Sequence, residues 1–144
     1  MTRIAATLIA GLLAAPAFAD GHSVGDAAKG EKEFNKCKSC HMIETADGET
    51  IVKGGRTGPN LYGIVGRQAG SLDGFRYGDD LVAAGEAGLV WDAENFVTYV
   101  QDPRAFLREY LDDSKAKSKM TFKLKKGGED IYAYLVSVGP EVTN

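Results

Sequence analysis

Cys37-Lys38-Ser39-Cys40-His41 is the stretch whose reading decides the fold of this chain, and the chain holds no other cysteine. Two cysteines three residues apart with histidine directly after the second form the Cys-x-x-Cys-His pattern, the attachment signal of a covalently held c-type haem. If the backbone there is helical, positions i, i+3 and i+4 share one face. Two thiols can then bond the haem vinyl carbons while the imidazole reaches the iron.

Other uses of the motif fit less well. A zinc site commonly takes four ligands, often two cysteine pairs or one such pair with a histidine pair, whereas this chain has two cysteines and two histidines in all. His22 stands in the N-terminal tail. A thioredoxin-like redox pair calls for a βαβ context that the sequence does not offer. A structural disulfide across so short a spacing closes a tiny loop and stabilises little.

Met-Thr-Arg opens the chain, an apolar run follows from Ile4 to Ala15, and Ala17-Phe18-Ala19 precedes Asp20. That is the layout of a secretory signal peptide over residues 1–19, leaving residues 20–144 as one domain exported to the periplasm. The apolar run is shorter than the ~20 residues a membrane-spanning helix needs, so a soluble protein is expected. Those 125 remaining residues suit one compact domain with a small core, to which a buried haem adds apolar surface. They carry 16 basic and 20 acidic side chains, a net charge of −4. Nucleic-acid binding is not indicated. The charge is unevenly spread, because Lys115 to Lys126 holds six lysines and no acid.

Along the domain, Asp26 is a candidate cap for a helix running through Gly30 and Phe34 into the cysteine motif. Residues 44 to 60 are rich in Gly, Thr, Asp and Lys and read as a long loop. Leu61 to Val65 and Asp80 to Ala84 read as short helices. Asp92 is a plausible cap for a helix carrying Phe96, Val97 and Val100, and Pro103 suits the first turn of another carrying Phe106, Leu107 and Tyr110. Residues 112 to 126 read as a charged loop. Glu129 to Val138 places Ile131, Tyr134, Leu135 and Val138 on one face and stops at Gly139-Pro140. No strand is expected, and the fold class is all-α, with about five short helices and long loops in a single domain.

His41 as one axial ligand leaves a sixth iron position, and its occupant decides function. Met1 leaves with the signal peptide, and Met42 is tethered directly to His41. Met120, 79 residues beyond His41 and set among lysines, is the remaining candidate. A thioether is soft and suits Fe(II), so a His/Met pair makes a comparatively oxidising one-electron carrier. Filling both axial positions leaves no site for dioxygen or peroxide, which argues against an enzyme. The rival reading is a haem enzyme or gas sensor with an open iron position.

Residues 26–41 with their Cys-x-x-Cys-His end, Thr57-Gly58-Pro59-Asn60-Leu61 and Lys119-Met120-Thr121-Phe122 together resemble class I cytochrome c, in its periplasmic cytochrome c2 and Paracoccus-type branch. The likeness spans essentially the whole mature chain and implies the cytochrome c fold, wrapped around one haem. It implies Cys37 and Cys40 as thioether anchors, His41 and Met120 as axial ligands, and the Pro59 carbonyl as acceptor from the other ring nitrogen of His41. Arg67, Tyr77 and Trp91 match positions that hold a haem propionate, and Tyr99 one near the methionine sulfur. On the residues alone, Trp91 and Tyr99 read as large core side chains and Arg67 as a solvated charge. Gly30, Phe34 and Tyr134 match the packing of first helix on last. Leu81 and Ser118 stand where mitochondrial relatives have asparagine and threonine.

The resemblance further implies a monomer that docks transiently on membrane complexes, taking electrons from a cytochrome bc1 complex and giving them to a photosynthetic reaction centre or a cytochrome c oxidase. A dedicated donor to one periplasmic enzyme fits the sequence equally. Lys36, Arg56, Lys119, Lys123 and Lys126 are the candidate docking cations for acidic partner surfaces.

Overall fold

Asp26 caps the first helix: its carboxylate accepts the N–H groups of Ala28 at 2.9 Å and Lys29 at 3.1 Å. Those bonds, that from Lys29 foremost, hold the Asp26 carboxyl below the usual carboxylate range. In this computed structural model, residues 25–140 are described. The signal-peptide reading, Met1 and His22 lie outside the described residues.

Five α-helices follow in chain order: α1 (Ala27–Glu33), α2 (Asp79–Glu86), α3 (Ala93–Gln101), α4 (Pro103–Tyr110) and α5 (Gly128–Val138). A 3₁₀ turn, Phe34–Lys36, continues α1 into the cysteine motif. The caps act as expected from sequence. Asp92 accepts from Asn95 N–H at 2.8 Å, and Pro103 opens α4 behind Asp102, which accepts from Ala105 N–H at 3.1 Å.

The closest helix approach joins α1 to α5. A Cβ on Gly30 would stand 1.9 Å from the Asp130 carbonyl oxygen and 2.8 Å from the Tyr134 Cβ, so only glycine permits this crossing. One turn further on, Phe34 is 1% exposed and meets the Tyr134 ring at 5.8 Å between centroids. Asp130 Oδ1 also accepts the Asp26 N–H at 2.8 Å. Ile131 and Leu135 of α5, Phe96 and Val100 of α3, and Leu107 of α4 share one continuous core with them. No helix among the described residues is long and apolar enough to cross a membrane.

Two sequence expectations need correction. Residues 44 to 60 do contain strand: β1 (Ile43–Glu44) pairs antiparallel with β2 (Thr50–Val52), Ile43 opposite Val52 and Glu44 opposite Thr50, with an irregularity between the two pairs. Strands of two and three residues are too short to display alternation, and the Thr45 turn that joins them is polar. Leu61 to Val65 forms turns, not a helix. Its apolar spacing puts Leu61 and Ile64 into the core, while Gly63 at φ +67° and Gly66 at φ +73° turn the chain in a way a helix cannot. The segment after that turn meets residues 90–91 through an isolated antiparallel bridge, Gln68 opposite Val90, with Gly66 N–H on the Trp91 carbonyl at 2.9 Å and Trp91 N–H on the Arg67 carbonyl at 3.0 Å.

Candidate functional site

The 3₁₀ turn after α1 leads the Cys-x-x-Cys-His segment on as a run of hydrogen-bonded turns. Phe34 O accepts from Cys37 N–H at 2.8 Å, and Cys37 O accepts from both Cys40 N–H at 3.1 Å and His41 N–H at 2.9 Å. Cys37, Cys40 and His41 consequently face one cavity of about 330 Å³. The two sulfurs are not joined to one another. Burial pushes the Cys37 thiol up to about 11. Cys40 is exposed, and the Thr57 hydroxyl, then that of Ser39, holds its thiol below the ordinary value.

His41 is fixed in tautomer as well as place. Its Nδ1 lies 2.8 Å from the Pro59 carbonyl oxygen. A carbonyl only accepts, so Nδ1 carries the hydrogen and Nε2 keeps its lone pair. Burial lowers the imidazole pKa, with the Pro59 carbonyl partly opposing, and so favours the neutral ring that ligates metals.

Residues 54 to 60 wrap the back of the motif closely. Gly55 N–H reaches Lys38 O at 2.9 Å and Gly58 N–H reaches Cys40 O at 2.8 Å. A Cβ on Gly58 would lie 2.3 Å from His41 Cε1, so the loop backbone lies directly on the imidazole. Asn60 anchors this loop to β1, accepting Glu44 N–H at 3.1 Å and donating to Glu44 O at 2.6 Å.

Met120 reaches the same cavity from the opposite part of the chain, and Met42 is not among the residues that line it. The loop that carries Met120 is tied down on both sides. Arg108 Nε donates to Ala116 O at 3.3 Å, Lys117 N–H to Asp80 Oδ2 at 2.8 Å, and Leu124 N–H to Val100 O at 2.7 Å. Tyr99 and Ser118 share a hydroxyl contact at 3.3 Å. Thus three helices, α2, α3 and α4, tie down the loop that carries one methionine.

Arg67, Tyr77, Trp91 and Tyr99 also line the cavity. The Arg67 guanidinium donates to Tyr62 O at 3.2 Å and Asn60 O at 3.3 Å, and burial lowers its pKa. Burial raises the Tyr77 phenol, while the neighbouring Arg67 charge opposes the rise. Trp91 and Tyr99 pack edge to face at 4.9 Å, and both are buried core residues as well as part of the cavity lining.

The five candidate docking cations stand in unlike surroundings. Lys36 pairs with Glu33, and Lys123 Nζ lies 2.6 Å from Asp102 Oδ2. Lys119 Nζ donates to the Arg76 and Tyr77 carbonyls at 3.1 and 3.0 Å. Among the described residues, Arg56 and Lys126 form no ion pair, and both are exposed.

No protein-family model matches the sequence. Individual proteins do. Over 139 residues the chain is 71% identical to the cytochrome c-551 of Roseobacter denitrificans, covering 96% of each. The solved cytochrome c2 of Rhodobacter capsulatus superposes with a TM-score of 0.77 at 64% identity, over 79% of this chain and 98% of that one. The chain belongs to the cytochrome c2 family. A third relative, ferric cytochrome c-550 of Paracoccus versutus, superposes at TM-score 0.78 with 54% identity, over 81% of this chain and 99% of that structure.

Cytochromes c2 and c-550 are electron carriers rather than enzymes, and the family holds haem c covalently. The cavity of this chain fits such a group. Its volume lies in the ~300–1,000 Å³ range of cofactor sites, its walls include Leu61, Ile64, Leu81 and Ile131, and a neutral imidazole, a thioether and two thiols open onto it. Sequence reasoning assigned no role to Asn60, Ser118 or Asp80. Asn60 and Ser118 stood inside or beside quoted motifs, but Asp80 carried no local signal.

Proposed function

We propose that Cys37 and Cys40 anchor the haem, that His41 and Met120 are its axial ligands, and that the protein is a one-electron carrier of the periplasm, exported by the signal peptide of residues 1–19. When bound, the haem supplies one reversible electron at its iron. The observation that carries the reading is the convergence of His41, with Nδ1 committed to Pro59, and Met120, with flanks tied to α2, α3 and α4, on one cavity that also receives both cysteines. Arg67, Tyr77 and Trp91 supply the N–H and O–H donors for the propionates, and Tyr99 sits by Ser118 near the methionine.

The chain's own residues set the character of the carrier. A soft thioether from Met120 favours the reduced state, and the apolar wall disfavours an added positive charge. A loop held at several points limits rearrangement on electron transfer. Lys36, Arg56, Lys119, Lys123 and Lys126 form the docking face for acidic surfaces on a cytochrome bc1 complex as donor and on a reaction centre or cytochrome c oxidase as acceptor. Such contacts weaken with salt, so the electron-transfer rate is expected to fall steeply as ionic strength rises. A rate independent of salt overturns the docking face.

Carbon monoxide binding to the reduced holoprotein tests the ligand pair. Slow or negligible binding at neutral pH is expected, and rapid binding overturns the six-coordinate reading in favour of a haem enzyme or gas sensor. Met120→Ala is expected to admit carbon monoxide and lower the reduction potential. An unchanged potentiometric titration rejects Met120 as ligand.

A further inference from the structure

Asp80 lies in the first turn of α2, 37 residues from Lys117, yet its Oδ2 accepts the Lys117 N–H at 2.8 Å. We propose that Asp80 is a positioning residue for Met120: its carboxylate fixes the backbone three residues before the sulfur and so holds the Met120 loop over the haem cavity. This rests on the reading of Met120 as an axial ligand.

The backbone around Lys117 has few other ways to be held. Residues 112 to 126 contain no helix or strand, so their N–H groups find no regular ladder. Asp113, whose carboxylate takes the Lys115 N–H at 2.8 Å, closes only a local turn. Bonds from the loop to other elements are what set its distance from the cavity. On the α2 side these are two. One is Asp80 on Lys117, and the other is Lys119 Nζ on the Arg76 and Tyr77 carbonyls, within the segment that leads into α2.

They differ in stiffness. The Lys119 bonds are made by the end of a long flexible side chain, whereas the Asp80 bond joins a short side chain on a helix directly to loop backbone. Both bonds are charge-assisted, one through the acceptor and the other through the donor, so stiffness is what separates them. The pocket chemistry makes such a tie useful. Leu81, next to Asp80, lines the cavity and carries no polar group with which to bond the loop, so on α2 the adjacent carboxylate does this from outside the haem cavity.

The experiment compares Asp80→Ala, Asp80→Asn and Asp79→Ala with the unsubstituted holoprotein and with Met120→Ala. Two quantities are read: carbon monoxide association to the reduced protein, and amide hydrogen exchange over residues 117–124. Loss of one charge-assisted bond is expected to raise both in Asp80→Ala by about tenfold. Asp80→Asn keeps an acceptor and is expected to recover most of the difference. Asp79→Ala removes a first-turn acid of the same helix and is expected to change neither, which separates loop positioning from helix stability. Exchange and carbon monoxide association in Asp80→Ala within twofold of the unsubstituted protein, while Met120→Ala binds carbon monoxide freely, overturns the role of Asp80. Met120→Ala no more open than the unsubstituted protein overturns the ligand reading itself, and with it the inference.

Discussion

Lys119 donates its ammonium to the carbonyl of Tyr77 at 3.0 Å, and so ties the residue just before Met120 to the segment that enters α2. The same ammonium reaches the Arg76 carbonyl at 3.1 Å. A lysine expected from the sequence to be a docking charge is a staple between two segments that line the cavity.

Lys119 and Lys126 should separate these two roles. Lys119→Met loses both carbonyl bonds at an exposed site, a cost of about 1 kcal/mol, or a melting midpoint lower by about 4 °C. Lys126→Met, at an exposed lysine that forms no ion pair among the described residues, is expected to stay within about 1 °C. Each variant removes one charge, so both should slow electron transfer at low salt to a similar degree. Thermal scans paired with rates at two salt concentrations check this; equal midpoints would show that the carbonyl bonds carry no stability.

Gly30→Ala should be destabilising although alanine is the better helix former. The propensity gain is about 1 kcal/mol. Against it, the new methyl would stand 1.9 Å from the Asp130 carbonyl oxygen, backbone that cannot swing aside, and overpacking of that kind costs about 3 kcal/mol. The clash wins. A denaturant titration should lose about 2 kcal/mol or more, with Phe34 and Tyr134 forced apart; a stabilised variant would contradict the crossing.

These cases show which parts of the fold are legible in sequence. Asp26, Asp92 and Pro103 announce helix starts because capping is local chemistry, readable within three or four residues. The cysteine motif is readable for the same reason. Leu61 and Ile64 misled because cavity-facing turns can repeat an apolar residue at helical spacing, and Gly63 and Gly66 decide otherwise through φ. β1 and β2 were hidden by brevity. Asp80 and Lys117, 37 residues apart, meet only through the tertiary fold, and no periodicity records that meeting. The resemblance to class I cytochrome c supplied Arg67, Tyr77 and Trp91, which spacing alone left as ordinary core or surface residues.

Acid should weaken the tie between Lys123 and Asp102. The Lys123 ammonium, then the Ala105 N–H, holds the Asp102 carboxyl below its ordinary value. A depressed folded-state value means stability that is fully present above the unfolded value of about 3.9 and lost as pH falls through the folded one. Asp102→Asn still caps α4 but carries no charge. The variant should therefore be less stable than the unsubstituted protein at pH 7, and the two curves should converge below about pH 4. Added salt should shrink the gap at pH 7, since the pair is solvent-exposed. Denaturant midpoints measured from pH 7 to pH 2 check the sign; a gap that widens in acid contradicts it.

Asn60 offers a test of how the support behind His41 reaches the site. One side chain takes the N–H groups of Glu44 and Tyr62 at 3.1 and 3.0 Å and gives a hydrogen to Glu44 O at 2.6 Å, and its residue directly follows Pro59. Asn60→Ala leaves partly buried backbone groups without these partners, an expected loss of about 2–3 kcal/mol. Asn60→Asp keeps the two accepted bonds but faces the Glu44 carbonyl with another acceptor, so it should recover only part of that loss. If the Pro59 carbonyl depends on this anchor to meet His41 Nδ1, both variants should also shift the reduction potential of the holoprotein, because that bond tunes the basicity of the imidazole. A loss of stability with an unchanged potential would assign Asn60 to the β1 junction alone and leave Gly55 and Gly58, through their bonds to Lys38 and Cys40, as the support of the histidine.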